Sequence, residues 1–175
     1  STAAMLVTAA AFPLAVQSFN AGDKAQAVAQ IALNGSLLTG ILAPAAAGIF
    51  LINEPLVKWL VAEPFWAVTI AVLPLALLSG MLRNLRVHFA DQVFLLHERT
   101  GWAVTITVME AVATVIGCVA GVYFGGTVGA VAGAMAAHGV MTAFGFYLAV
   151  ALLGLRIRWG DMVRIALATA AMSAG

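Results

Sequence analysis

Seven of the eight Lys and Arg residues fall in alternate gaps between long apolar stretches, and that segregation restricts the chain to one class of fold. The stretches run over about residues 1–19, 31–53, 65–82, 101–124 and 127–153, with a sixth from 163 to 175. A helix rises about 1.5 Å per residue, so about 20 apolar residues cross the roughly 30 Å hydrocarbon core of a bilayer. Ile31 to Asn53 contains no charged residue. Backbone in lipid has no water to bond, so a spanning segment is either a helix or part of a closed barrel, whose strands alternate with period two. These continuous runs of Ala, Leu, Val and Ile predict an all-α, polytopic transmembrane helical bundle.

Composition excludes the soluble classes. Hydrophobic residues make up 63% of the chain and charged ones 9%, with a mean hydropathy of +1.06, whereas soluble domains carry about 25% charged residues. A net charge of +1 without a basic run or an interleaved aromatic stripe excludes nucleic acid as a partner. Cys118 is the lone cysteine, so no internal disulfide forms; inside an apolar helix it is a small packing residue.

If successive helices alternate in direction, the gaps at 20–30, 83–100 and 154–164 share one side. They hold Lys24, Arg83, Arg86, Arg99, Arg156, Arg158 and Arg164; the gaps at 54–64 and 125–126 hold only Lys58, beside Glu54 and Glu63. The positive-inside rule makes the first side cytoplasmic. Merging or splitting one span would scramble this segregation. The chain opens without an initiator Met and closes about eleven residues into an apolar run. A single membrane domain over 1–175 is therefore expected, its first and last spans truncated, as a fragment of a longer protein. The first stretch lacks the basic n-region of a signal peptide and carries Pro13, so a truncated helix ending near Phe19 fits better.

Local chemistry refines this picture. Gly22 and Asp23 supply a turn, after which Ala25–Gln30 restarts a helix along the interface. The 88–99 gap mixes Phe89, Val93, Phe94 and Leu96 with polar residues at a spacing that suits a short interfacial helix, an amphipathic connector. Trp59, Trp66, Trp102 and Trp159 fall at helix ends, where amphipathic rings anchor at headgroup level. Pro44 and Pro74 lie inside spans and invite kinks, which serve either as hinges or simply to shape packing. Small residues recur every four positions at Gly117 and Gly121, then at Gly125, Gly129, Gly133 and Ala137, predicting two helices in close approach across a short outer turn, 123–127.

The ionisable residues inside or closing the spans are the candidate site. Glu110 lies about nine positions into the 101–124 span, where a carboxylate is expensive unless it faces a water-filled path or a partner. The structural alternative is a hydrogen-bonded Glu that joins two helices. His138, midway along the next span, reads first as a packed, neutral histidine. Arg83 and Arg86 close the third span, followed by Asn84, His88 and Asp91. They either snorkel to the interface or form a cavity mouth for an anionic headgroup, since Arg offers forked donors to phosphate oxygens. No GxSxG, HExxH or Walker loop occurs, and the 88–98 His and Asp lack metal-ligand companions. The expectation is a non-enzyme with no cofactor and no metal.

Several motifs together resemble a known family. Pro13 precedes Gly22-Asp23 after a helix end; an uncharged span then carries Pro44-Ala-Ala-Ala-Gly48 and Ile49-Phe-Leu-Ile-Asn-Glu-Pro-Leu-Val57. Leu82-Arg-Asn-Leu-Arg-Val-His-Phe-Ala-Asp-Gln-Val-Phe-Leu-Leu95, Gly125-Gly-Thr-Val-Gly-Ala130 and Trp159-Gly-Asp-Met162 follow. This order resembles the polysaccharide transporter branch of the multidrug/oligosaccharidyl-lipid/polysaccharide flippase superfamily, which includes the O-antigen and lipid II flippases. The similarity covers most of the chain in short, degenerate motifs, and Glu98-Arg99 stands where the family's second cytoplasmic loop usually has Gly-Arg.

The resemblance implies much of one lobe of a two-lobed flippase in the bacterial cytoplasmic membrane, working by alternating access. Its implied partners are a lipid-linked glycan substrate, membrane lipids, a coupling proton or cation, and the polysaccharide polymerase machinery. Glu110, Arg83, Arg86, Asp91 and His138 are then the substrate or coupling candidates. Two competitors stand beside this reading: a multidrug exporter of the same superfamily, separated by drug resistance against a polysaccharide defect in a deletion strain, and a non-transporting membrane scaffold.

Overall fold

The computed structural model describes residues 12–174, and regular structure among them is helical. The described chain is helical over 12–20 (α1) and turns at Gly22, whose φ of +89° favours glycine. It then continues as α2 (Lys24–Leu51), α3 (Asn53–Leu60), a 3-10 turn (Glu63–Phe65), α4 (Trp66–Leu85), a π-helical turn (Arg86–Ala90), α5 (Asp91–Leu96), α6 (Thr100–Leu153) and α7 (Trp159–Ala174). Three continuous helical segments are long and apolar enough to cross a membrane: Lys24–Leu51, Glu63–Leu96 and Thr100–Leu153. The expectation for residues 1–11 lies outside the described residues.

The 54 residues of α6 would make a rod about 80 Å long if straight. Non-helical backbone at Gly125 and Gly126, the latter at φ +58°, breaks it into two arms, 100–124 and 127–153. The arms fold against each other as the glycine spacing predicts. A Cβ added at Gly117 would meet the Gly133 backbone, and one at Gly121 the Gly129 backbone, so partners step in opposite directions along the two arms. Without side chains at these positions, the two backbones come together and the contact gains in dispersion what the hydrophobic effect does not supply in lipid.

Position 23 starts α2: the Asp23 carboxylate accepts from the Gln26 backbone N–H at 2.9 Å, satisfying an otherwise unpaired donor. Pro74 breaks the ladder of α4, because it has no N–H to offer the carbonyl of Ile70. Asn53 supplies the missing donor: its Nδ2 lies 2.8 Å from the Ile70 oxygen, which ties the start of α3 to α4. Exposed apolar side chains run along the helices, among them Leu37, Ile41, Val104, Val108, Val115 and Val119. A bilayer is the solvent that suits such faces. Trp59 and Trp159, both predicted interface anchors, are 82% and 70% exposed.

The segment 83–100 departs most from expectation. Instead of an interfacial connector, the helix of α4 runs on through the π turn into α5 and turns inward. Phe89, Ala90, Val93 and Phe94 are 0–2% exposed and form the centre of the apolar core with Ile31, Ile106 and Ala149. Gly35 of α2 leaves a notch into which the Phe89 ring fits, and Phe89 meets Phe146 edge to face at 5.1 Å. Their apolar content had suited a headgroup-level helix equally well; the facing glycine decides for burial.

The charge segregation has a spatial counterpart. Lys24, His97 and Arg156, one from each of the three cation-bearing gaps, line a common cavity. Lys58 of the opposite gaps is neutralised by Glu54 at 2.6 Å on α3.

Glycine substitutions test the hairpin. Gly129→Ala places a methyl against the Gly121 backbone and should cost about 1–3 kcal/mol as overpacking. Gly139→Ala, whose nearest neighbour is a Leu82 methyl at 3.8 Å, should be near neutral. Thermal melts of the two variants in detergent check the difference, and equal melting temperatures would refute the close approach.

Candidate functional site

A buried polar cluster joins α4, the π turn, α5 and both arms of α6. Arg86 is 0% exposed and sits at its centre. Nη1 donates to Asp91 Oδ2 at 2.8 Å, and Nη2 donates to Glu110 Oε2. One guanidinium therefore serves two carboxylates, using the separate prongs of its fork.

The π turn explains why Arg86 and Asp91 can meet. Five residues apart in a regular α-helix place two side chains about 140° apart around the axis. Here the Asp91 N–H bonds the Arg86 carbonyl, an i→i+5 closure that widens the turn and brings both side chains to one face. π-turns of this kind occur often at functional sites.

The second arm of α6 runs parallel to α4 and completes the cluster. Ser79, Leu82 and Arg86 of the α4 strip face His138, Thr142 and Gly145 in rising order. Ser79 Oγ lies 2.5 Å from His138 Nδ1, and Thr142 Oγ1 donates to the Leu82 carbonyl at 3.1 Å. At Gly145 an added Cβ would press the Arg86 Cγ and Cδ at 3.3 Å, so this glycine makes room for the arginine stem. His138 Nε2 faces Glu110 Oε1 at 3.8 Å. The tautomer that suits both neighbours, assigned from them, has Ser79 donating to Nδ1 and the ring proton on Nε2, toward the carboxylate.

The cluster is incompletely satisfied. Arg86 Nε, Asp91 Oδ1 and Glu110 Oε1 are buried without a hydrogen-bond partner. With Arg86 charged, both carboxylates ionised and His138 neutral, the group would hold one net negative charge, which is costly in a low-dielectric interior.

Of the residues singled out from the sequence, Glu110, Arg86, Asp91 and His138 come together. Arg83 does not; it is exposed, one helical turn before Arg86. Arg86 neither snorkels nor lines a mouth, because the π turn rotates it into the bundle against Gly145. Ser79, Thr142 and Gly145 were missed. Ser79 had a signal, a hydroxyl in an otherwise apolar span, whereas Gly145 is indistinguishable in sequence from the many other glycines here. Among the described residues no group of three or more His, Cys, Asp and Glu side chains is arranged to hold a metal ion.

No family model matches the chain, and neither a curated protein nor a solved structure matches it. The geometry of the cluster therefore carries the functional reading.

The ion-pair assignment has a thermodynamic signature. Arg86→Met leaves two buried carboxylates unpaired and should destabilise by about 3–5 kcal/mol. Adding Asp91→Asn and Glu110→Gln to Arg86→Met removes the unpaired charges and should recover a large part of that loss. Denaturation of the single and triple variants in detergent measures it; a triple variant no more stable than Arg86→Met would refute the charge argument.

Proposed function

We propose that this chain acts in a membrane transporter that works by alternating access, with the Arg86–Asp91–Glu110 cluster as its proton- or cation-sensitive tie. The observation that carries this is the excess of buried carboxylate over guanidinium, with orphan oxygens on both acids. A proton on Glu110 would remove the charge that holds the first arm of α6 to Arg86. The arm could then move relative to α4, and the energy of the lost ion pair would be the differential affinity that shifts one conformation to the other. His138, on the other side of Glu110, is placed to pass or share that proton.

The substrate class rests on the sequence resemblance: lipid-linked oligosaccharide or polysaccharide precursors crossing the bacterial cytoplasmic membrane. A non-transporting role, with the cluster as a permanent clamp between helices, draws on one observation, the near-complete burial of Arg86, Asp91 and Glu110 at 0–6% exposure.

Glu110→Gln in the full-length protein separates the two. It keeps the shape and removes the charge. The transporter reading expects normal protein levels in the membrane with export of surface polysaccharide reduced by an order of magnitude or more, the scale of about 1.4 kcal/mol or above in coupling. Unchanged export at normal levels would sink the coupling role, and loss of folded protein would favour the clamp.

A further inference from the structure

A second polar feature lies apart from the buried cluster, at the end of the bundle where the cation-rich gaps meet. A cavity of about 360 Å³ opens there between the start of α2, the end of α5 and the α6–α7 connection. Its rim carries Lys24, His97 and Arg156; its floor is apolar, formed by Ala25, Val28, Ala29 and Leu153.

The cations on this rim have no carboxylate partner. Neither Lys24 nor Arg156 makes an ion pair within 4.0 Å among the described residues, unlike Arg158 and Arg164, which both reach Asp161. Lys24 Nζ lies 5.6 Å from the centre of the Phe19 ring, and His97 packs its edge on that same ring at 5.3 Å, so one aromatic side chain sets the positions of both. His97 Nδ1 is held by the Val93 carbonyl at 3.0 Å, which leaves Nε2 for another partner. The two nearby acids stand aside. Asp23 caps α2 through Gln26, and exposed Glu98 is not part of the cavity wall.

We infer that this cavity is a binding site for the phosphate headgroup of an anionic phospholipid, with an acyl chain lying over Val28 and Leu153. Two features fit that ligand together. The Lys24 ammonium and the Arg156 guanidinium reach the headgroup position from two separate elements, and neither has a carboxylate within 4.0 Å among the described residues. The floor is apolar and borders the exposed, lipid-suited helix faces, as a diacyl ligand requires and a free phosphate does not. By the positive-inside rule this end faces the leaflet that is rich in anionic lipid. The lipid would bridge α2, α5 and the α6–α7 connection, and thus act as a structural or regulatory ligand whether or not the chain transports anything.

Native mass spectrometry of the purified full chain in detergent, titrated with phosphatidylglycerol or phosphatidylcholine of matched acyl chains, tests the site. Phosphatidylglycerol should bind in preference. Lys24→Gln with Arg156→Gln should weaken it about twenty-five-fold, taking about a five-fold loss for each cation near an anionic surface. Arg83→Gln with Arg99→Gln removes the same charge from the same end and should leave binding within about two-fold. Ala29→Trp, at an exposed position, keeps every charge and fills the floor; it should also abolish binding, and it serves if the charge variant does not fold. Equal weakening by the two charge pairs, or unaltered binding by Ala29→Trp, would overturn the site in favour of a diffuse surface attraction. Displacement of the lipid by inorganic pyrophosphate at equal concentration would overturn it in favour of a soluble phosphate site.

Discussion

The Arg86 guanidinium is the point on which the described helices depend. It is fully buried and bonded to Asp91 beside it and to Glu110 on another helix, while its stem lies against Gly145 on a third. A charge in this position is stable only while each partner stays in place, since the loss of one leaves another unpaired in a medium that solvates it poorly. The consequence is specificity of arrangement: the α4–π-turn segment cannot rotate or slide against the first arm of α6 without separating opposite charges.

Elsewhere the bundle is held by close approach of backbones. In lipid, apolar side chains gain little by moving from bilayer to helix interface, so packing and hydrogen bonds decide association. The hairpin of α6 follows that rule through Gly117, Gly121, Gly129 and Gly133, and the notch at Gly35 follows it for Phe89. One defect in the helical ladders is repaired by a side chain: Asn53 satisfies the carbonyl that Pro74 leaves free and so links α3 to α4. Thr142 adds a second donor to the Leu82 carbonyl, near the start of the π turn, and ties the second arm of α6 to α4.

Two polar regions divide the work. The buried cluster lies within the bundle and holds an excess of acid; the rim of Lys24, His97 and Arg156 lies at its end and holds an excess of base. α5 connects them directly, since it begins at Asp91 and is capped at its end by His97.

Much of this was legible in the sequence, and the reason is that hydropathy and charge are local. Apolar runs of sufficient length specify helices suited to lipid, the segregation of Lys and Arg specifies which loops gather at one end, and glycine at every fourth position specifies a close hairpin. The rarity of ionisable residues in such runs also singled out Glu110 and His138, while Arg83, Arg86 and Asp91 stood out at the close of the third span. Their pairing was not legible, because it depends on the angle at which separate helices face one another. Arg86 and Asp91 stand on different faces of an α-helix and meet only through a π turn; Glu110 lies 24 residues further on, and its approach depends on how α6 packs. The burial of the 83–100 segment is hidden from the sequence for the same reason. Its mix of aromatic and charged residues suits an interface or a core, and only the space left by Gly35 and Gly145, together with the carboxylate of Glu110, made burial the lower-energy choice.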